Sequence, residues 1–225
     1  MQRSGRNRIW LTLIGFSVVY IYLRTGGGDF IEYWSAVRVF LGGDNPYDPA
    51  ALLPVQQAAG WDRSEPLMMW NPPWTLLVML PFAALPFELA RALFLAVSSA
   101  ATLGLADYLW RTLGGLKEDR WVAWSGTWCF IPAIHALAMG QLSPMILAGI
   151  TGFVWAIRKD KEWLAGMFLV LATVKLHVVY LFFLVVFCWG IKQRRTIHDG
   201  GCVGEFEYVV ESMWFGVPGV RRGGV

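Results

Sequence analysis

Few side chains in this sequence can do chemistry, and those few sit beside or within apolar runs. Asp29 follows Gly26-Gly27-Gly28, where the first apolar segment ends. Lys175 and His177 fall near the middle of an apolar run over residues 163–191, and Gln141 lies in the turn Gly140-Gln141-Leu142-Ser143-Pro144. An ionisable group within a membrane segment is costly and marks function by default. A carboxylate can accept a proton from a hydroxyl. A lysine can hold a phosphate as a point charge. One carboxylate, one lysine and one histidine facing one interfacial cavity would suit transfer of a group from a phosphorylated carrier. Each residue also has a plainer use. Asp29 can cap the helix that follows it, Lys175 can snorkel, His177 can pack at an interface, and Gln141 can satisfy loop backbone. Glu32, Asp44 and Asp48 read as solvated or turn residues. No metal-ligand spacing stands out, and CxxC, HExxH and phosphate-loop glycine motifs are missing, so no metal and no cofactor are expected.

The elements that must position these residues are read from composition and periodicity. The chain has 225 residues, 56% of them hydrophobic and 16% charged, against about 25% charged in a soluble domain. Several apolar runs approach or exceed the length that crosses a bilayer. The expectation is an all-α, polytopic integral membrane helical bundle. The net charge of +3 comes from short basic loops and gives no reason to expect a nucleic-acid partner. Cys129 and Cys188 fall in apolar runs and Cys202 near the end, which suggests buried thiols and no disulfide framework.

In chain order, Arg3, Arg6 and Arg8 precede an apolar stretch over residues 9–23. This predicts an uncleaved signal anchor with a cytoplasmic N-terminus. Residues 24–74 form a long acidic loop, placed outside by the positive-inside rule. Within it, Phe30, Tyr33, Trp34, Val37, Phe40 and Leu41 recur at helical spacing, with Glu32, Ser35 and Arg38 between them. That pattern predicts an amphipathic interfacial helix over about 29–41. Residues 75–87 are apolar but short and carry Pro81 and Pro86, so they read as re-entrant or interfacial rather than spanning. Spans are expected over 89–109, 121–139 and 145–157. A single helix over 163–191 would bury Lys175 at the bilayer centre, at a cost of about 3 kcal/mol or more. Two short helices turning outward near Lys175 and His177 avoid this. The clusters at 111–120, 158–161 and 192–195 then all lie inside, as their charge asks. Residues 196–225 are interrupted by glycines and are expected to be a disordered tail, leaving 1–195 as the transmembrane domain.

The order of several short patterns resembles a known family. Asp29-Phe30, Tyr33-Trp34 and Ala36 give D-F-x-x-Y-W-x-A, followed by Gly42-Gly43-Asp44-Asn45-Pro46-Tyr47-Asp48, the Pro72-Pro73 pair, the G-Q-L-S-P turn and an A-G-x-x-x-x-L-A-x-x-K run ending at Lys175. Together, over roughly residues 9–195, they resemble bacterial glycosyltransferase family 87, integral membrane enzymes of GT-C architecture. The resemblance implies interfacial helices in the first outer loop. It implies transfer of a sugar, often mannose, from a polyprenyl-phosphate donor to a glycolipid or glycan acceptor on the outer side of the plasma membrane. It implies that Asp29 is the catalytic base and that Lys175 lies near the carrier phosphate. Substrate contacts are expected from His177, Gln141, Tyr47 and Asn71, the last standing where the family often has tyrosine. The implied reaction is a single displacement at the anomeric carbon, with lipid phosphate leaving. The chain is shorter than is typical of the family and its glycine-rich end is unlike it, so a C-terminally truncated member is expected. The alternative is a non-enzymatic membrane protein, a transporter fragment or assembly subunit, or an inactive remnant.

Overall fold

The structure, a computed structural model, describes residues 2–26 and 28–198. Those residues form ten α-helices and two short 3₁₀ turns. The helices are α1 (Gln2–Arg24), α2 (Phe30–Leu41), α3 (Pro49–Ala58), α4 (Thr75–Ala83), α5 (Phe87–Thr112), α6 (Arg120–Cys129), α7 (Ile131–Ala138), α8 (Ser143–Ile157), α9 (Glu162–Ala172) and α10 (Leu176–His198). The all-α expectation holds. The chain divides into two compact units, Met1–Leu176 and His177–Val225. Residues 199–225, which hold Cys202 and most of the expected tail, lie outside the described residues; α10 continues to His198.

Helix α2 is almost wholly buried within the first unit. Phe30, Ile31, Tyr33, Ala36, Val37 and Val39 are buried. So are Glu32 and Ser35, whereas Phe40 and Leu41 are exposed. The expected one-sided helix is therefore corrected to one buried on nearly all sides, because α3, α4 and α5 all pack on it. Its polar residues are satisfied locally. Gln56, on α3, donates from Nε2 to Ser35 Oγ (3.0 Å) and to the Leu67 carbonyl (2.8 Å), and its Oε1 accepts the Leu67 N–H (2.8 Å). A fully satisfied buried amide of this kind fixes helix and loop together. Phe30 anchors the apolar side, with ring centroids 4.9 Å from Phe94 and 5.9 Å from Phe87.

Helix α4 has 9 residues, a rise of about 13 Å against about 30 Å of hydrocarbon, so it does not cross alone. Among the described residues two helical runs are long and apolar enough to cross a membrane, Phe87–Thr112 and Glu162–Lys192. A third exists if Ile131–Ala138 and Ser143–Ile157, bent by 120° to each other, count as one broken span. Three expectations change here. Helix α1 extends through its basic start and is not among these runs. The stretch 121–139 is not one helix: it breaks at Phe130 (ψ 101°), where Pro132 at the start of α7 cannot continue the preceding hydrogen-bond ladder. The run from Glu162 is interrupted by the 3₁₀ turn Thr173–Lys175, as expected, yet it counts as one apolar run to Lys192 rather than two short spans.

Two further contacts set the frame. On α5, Asp107 is buried and pairs with Arg120 (2.6 and 3.1 Å) and with Arg111 (3.0 Å), tying the end of α5 to the start of α6. Helices α8 and α9 meet closely because Gly149 has no side chain: a Cβ there would stand 2.7 Å from the Ala172 nitrogen. That contact seats the turn that carries Lys175. Cys129 and Cys188 are exposed, not buried thiols as expected.

The second unit, taken by itself, is the helix from His177 to His198. His177 is exposed, as are Val178, Tyr180, Leu181, Leu184 and Phe187, an apolar surface suited to lipid.

Candidate active site

Asp29 occupies the N-cap position of α2 but does not cap it. Its side chain makes no capping hydrogen bond, and its backbone is already helical (φ −70°, ψ −16°). The carboxylate is instead turned to the α7–α8 turn, where Gln141 donates from Nε2 to Asp29 Oδ2 at 3.0 Å. The Asp29 N–H donates to the Met139 carbonyl at 2.7 Å. Gly28 makes this approach possible. It sits at φ +41°, and a Cβ there would lie 2.7 Å from the Met139 carbonyl oxygen. The first loop and the α7–α8 turn are thus joined twice at Asp29.

One turn along α2, Glu32 stands on the same face as Asp29. It is 7% exposed and accepts the Trp70 N–H at 3.3 Å. Burial pushes its carboxyl up to about 7, the Trp70 N–H opposing; Asp29 adds to the rise, and Lys175 is close enough to act against it. Burial also raises Tyr33, helped by Glu32 and Asp29. The reading of Glu32 as a solvated residue is therefore corrected. Its spacing from Asp29 was the available signal, but in a helix taken as half-exposed that spacing pointed to solvent.

The loop before α4 brings the remaining residues in. Asn71 is buried and donates from Nδ2 to the Val174 carbonyl at 3.2 Å, one residue before Lys175. Tyr47 Oη donates to the Asn71 carbonyl at 3.1 Å, and burial raises the Tyr47 hydroxyl. Within the first unit Gln141 holds Asp29, Glu32 holds the Trp70 N–H, and Tyr47 and Asn71 link that loop to Val174, one residue before Lys175. Asn71 and Tyr47 serve there as braces whose polar groups are engaged with backbone. Asp48 caps α3 through Ala50 N–H (2.9 Å) and Asp44 is exposed, both as read. His177 opens the second unit and is described there alone. No group of His, Cys, Asp and Glu among the described residues could hold a metal ion.

A separate open cavity of about 710 Å³ is lined by Trp34, Arg38, Val55, Ala59, Pro86 and Phe87, among others. Arg38 is nine positions from Asp29, about half a turn round the helix, so this cavity opens on the other face of α2.

Comparison with known proteins decides the family. The profile of Glycosyltransferase family 87 matches residues 70–217, more than half of the chain. The chain belongs to glycosyltransferase family 87. The match holds Asn71, Gln141, Lys175 and His177 and starts after Asp29, Glu32 and Tyr47. It also runs past residue 195, so part of the stretch taken as unlike glycosyltransferase family 87 falls inside the family's profile. Over 158 residues the chain is 26% identical to a polyprenol-phosphate-mannose-dependent alpha-(1-2)-phosphatidylinositol pentamannoside mannosyltransferase of Mycobacterium tuberculosis (strain CDC 1551 / Oshkosh). That alignment covers 68% of this chain and 35% of the relative, so the chain spans about a third of the relative's length. No solved structure matches the chain.

Proposed function

We propose that this member of glycosyltransferase family 87 moves a sugar, mannose in the first instance, from a polyprenyl-phosphate carrier to an acceptor at the outer face of the membrane. The observation that carries the reading is the Asp29 carboxylate, held by Gln141 rather than spent on capping its helix, with Lys175 close to the same acidic face. In this reading Asp29 takes the proton from the acceptor hydroxyl as that oxygen attacks the anomeric carbon. The carbon–oxygen bond to the carrier breaks, and the electron pair leaves with the lipid phosphate, next to the Lys175 ammonium. Phosphate is a competent leaving group without protonation. The donor named for the mycobacterial relative, polyprenol-phosphate-mannose, supports the choice of carrier. The acceptor is a glycolipid or glycan. The 24–74 loop lies outside, the basic loops inside, and the chain crosses several times, with the bent α7–α8 pair and the run from Glu162 among its membrane segments.

The test is transfer of labelled mannose from polyprenyl-phosphate mannose to membrane glycolipid, in membranes that express the full chain. Lipid-linked label above an empty-vector control supports the reading. Label no higher than the control, at verified expression, sinks it.

A further inference from the structure

Glu32 lies near enough to feel both charged groups that the proposed transfer uses, and that transfer gives it no task. It lies one turn from Asp29 on α2, buried, its Oε1 taking the Trp70 N–H. The next residue of that loop, Asn71, holds the Val174 carbonyl just ahead of Lys175. One carboxylate is thus wired to the backbone that seats the lysine and is close enough to feel its charge. We propose that Glu32 is a positioning residue that sets how much of the Lys175 charge reaches the anionic donor. The inference rests on the polyprenyl-phosphate donor reading and concerns the same site.

The physics is a competition. An ionised Glu32 offsets part of the Lys175 charge and repels a donor phosphate; a neutral Glu32 leaves the ammonium to the donor. The groups that face it are Asp29 and Tyr33 on its own helix, Lys175 from the 3₁₀ turn and the Trp70 N–H from the loop. Burial and Asp29 favour the neutral form, and only Lys175 and the Trp70 N–H favour the charged one. The balance therefore tips within the physiological range, and donor affinity should fall as pH rises.

The experiment measures binding of polyprenyl-phosphate mannose to the full chain in lipid nanodiscs at pH 5.5 and 8.5. This donor is a phosphodiester whose single charge is constant over that range, unlike a phosphomonoester, which titrates near pH 6. The wild type should bind about tenfold more tightly at pH 5.5, one unit of proton linkage. Glu32→Gln keeps the acceptor for Trp70 N–H and should bind equally at both pH values, at the tight level. Lys175→Gln should weaken binding at pH 5.5. His177→Gln should retain the slope. A flat wild-type profile, a slope that survives Glu32→Gln, or a slope lost in His177→Gln overturns the proposal. In each of these outcomes the donor still binds, so the sugar-transfer reading stands. Absence of donor binding at either pH removes both readings.

Discussion

Gln141 donates to Asp29 Oδ2 over 3.0 Å, across 112 residues of sequence, and this bond uses the carboxylate that the helix itself leaves unused. Replacing Asp29 therefore tests chemistry with little interference from helix capping. Asp29→Asn retains a side-chain oxygen to accept from Gln141 but cannot take a proton. Sugar transfer should fall by about 10²–10⁴, while the melting temperature in detergent stays near that of wild type. Transfer within a few-fold of wild type at equal expression would move the base elsewhere, with Glu32 and Asp44 next in line.

Gln141 has the complementary role. In Gln141→Ala the Asp29 carboxylate loses its orienting donor. The loss of transfer should be about tenfold, equivalent to about 1.4 kcal/mol, and should appear in kcat with donor KM nearly unchanged. A variant with raised KM and wild-type kcat would show that Gln141 binds substrate rather than orients the base.

Gly28→Ala should be the most damaging single methyl in the first loop. Its Cβ would stand 2.7 Å from the Met139 carbonyl oxygen, and alanine is strained at φ +41°. A non-glycine residue in such backbone costs about 1–3 kcal/mol. The loop must withdraw, so both Asp29 contacts are lost. Expected results are a lowered melting temperature and transfer reduced at least as far as in Gln141→Ala. Wild-type behaviour in both measurements would show that the two loops do not meet as described.

The Glu32 carboxyl also couples stability to pH. Its folded value, about 7, lies above its ordinary value of 4.5. The folded state thus binds more protons between these values, and its stability is greatest below 4.5 and declines as pH rises towards 7. The decline amounts to about 3 kcal/mol at most for the full difference. Glu32→Gln should flatten this part of the stability profile. Parallel wild-type and variant profiles from pH 4.5 to 7 would contradict it.

Asn71 should behave as a brace. Asn71→Leu leaves the Val174 carbonyl without its donor in a buried place, a cost of about 1–3 kcal/mol. Thermal stability should fall and donor affinity with it, since the Lys175 turn loses its tether. Lost stability with unaltered donor affinity would separate Lys175 from donor binding.

The sequence by itself determined the helical class, the apolar character, the interruption at Lys175 and the short helix at α4. These are local properties: charge content, run length and prolines act within a few residues of where they stand. It also singled out Asp29, Gln141 and Lys175 by the cost of polar groups near lipid. What lay beyond it was which side of each helix is covered. Periodicity made α2 amphipathic, but the packing of α3, α4 and α5 buries Glu32 and Ser35 and leaves Phe40 and Leu41 exposed. Burial by neighbours distant in sequence pushed the Glu32 carboxyl up to about 7, out of the ordinary carboxylate range. The same holds for Asp29: local rules favoured an N-cap, and only the arrival of Gln141, 112 residues on, drew the carboxylate away from its helix. A cap is decided within one turn of chain, whereas a partner across the fold exists only once the fold has closed.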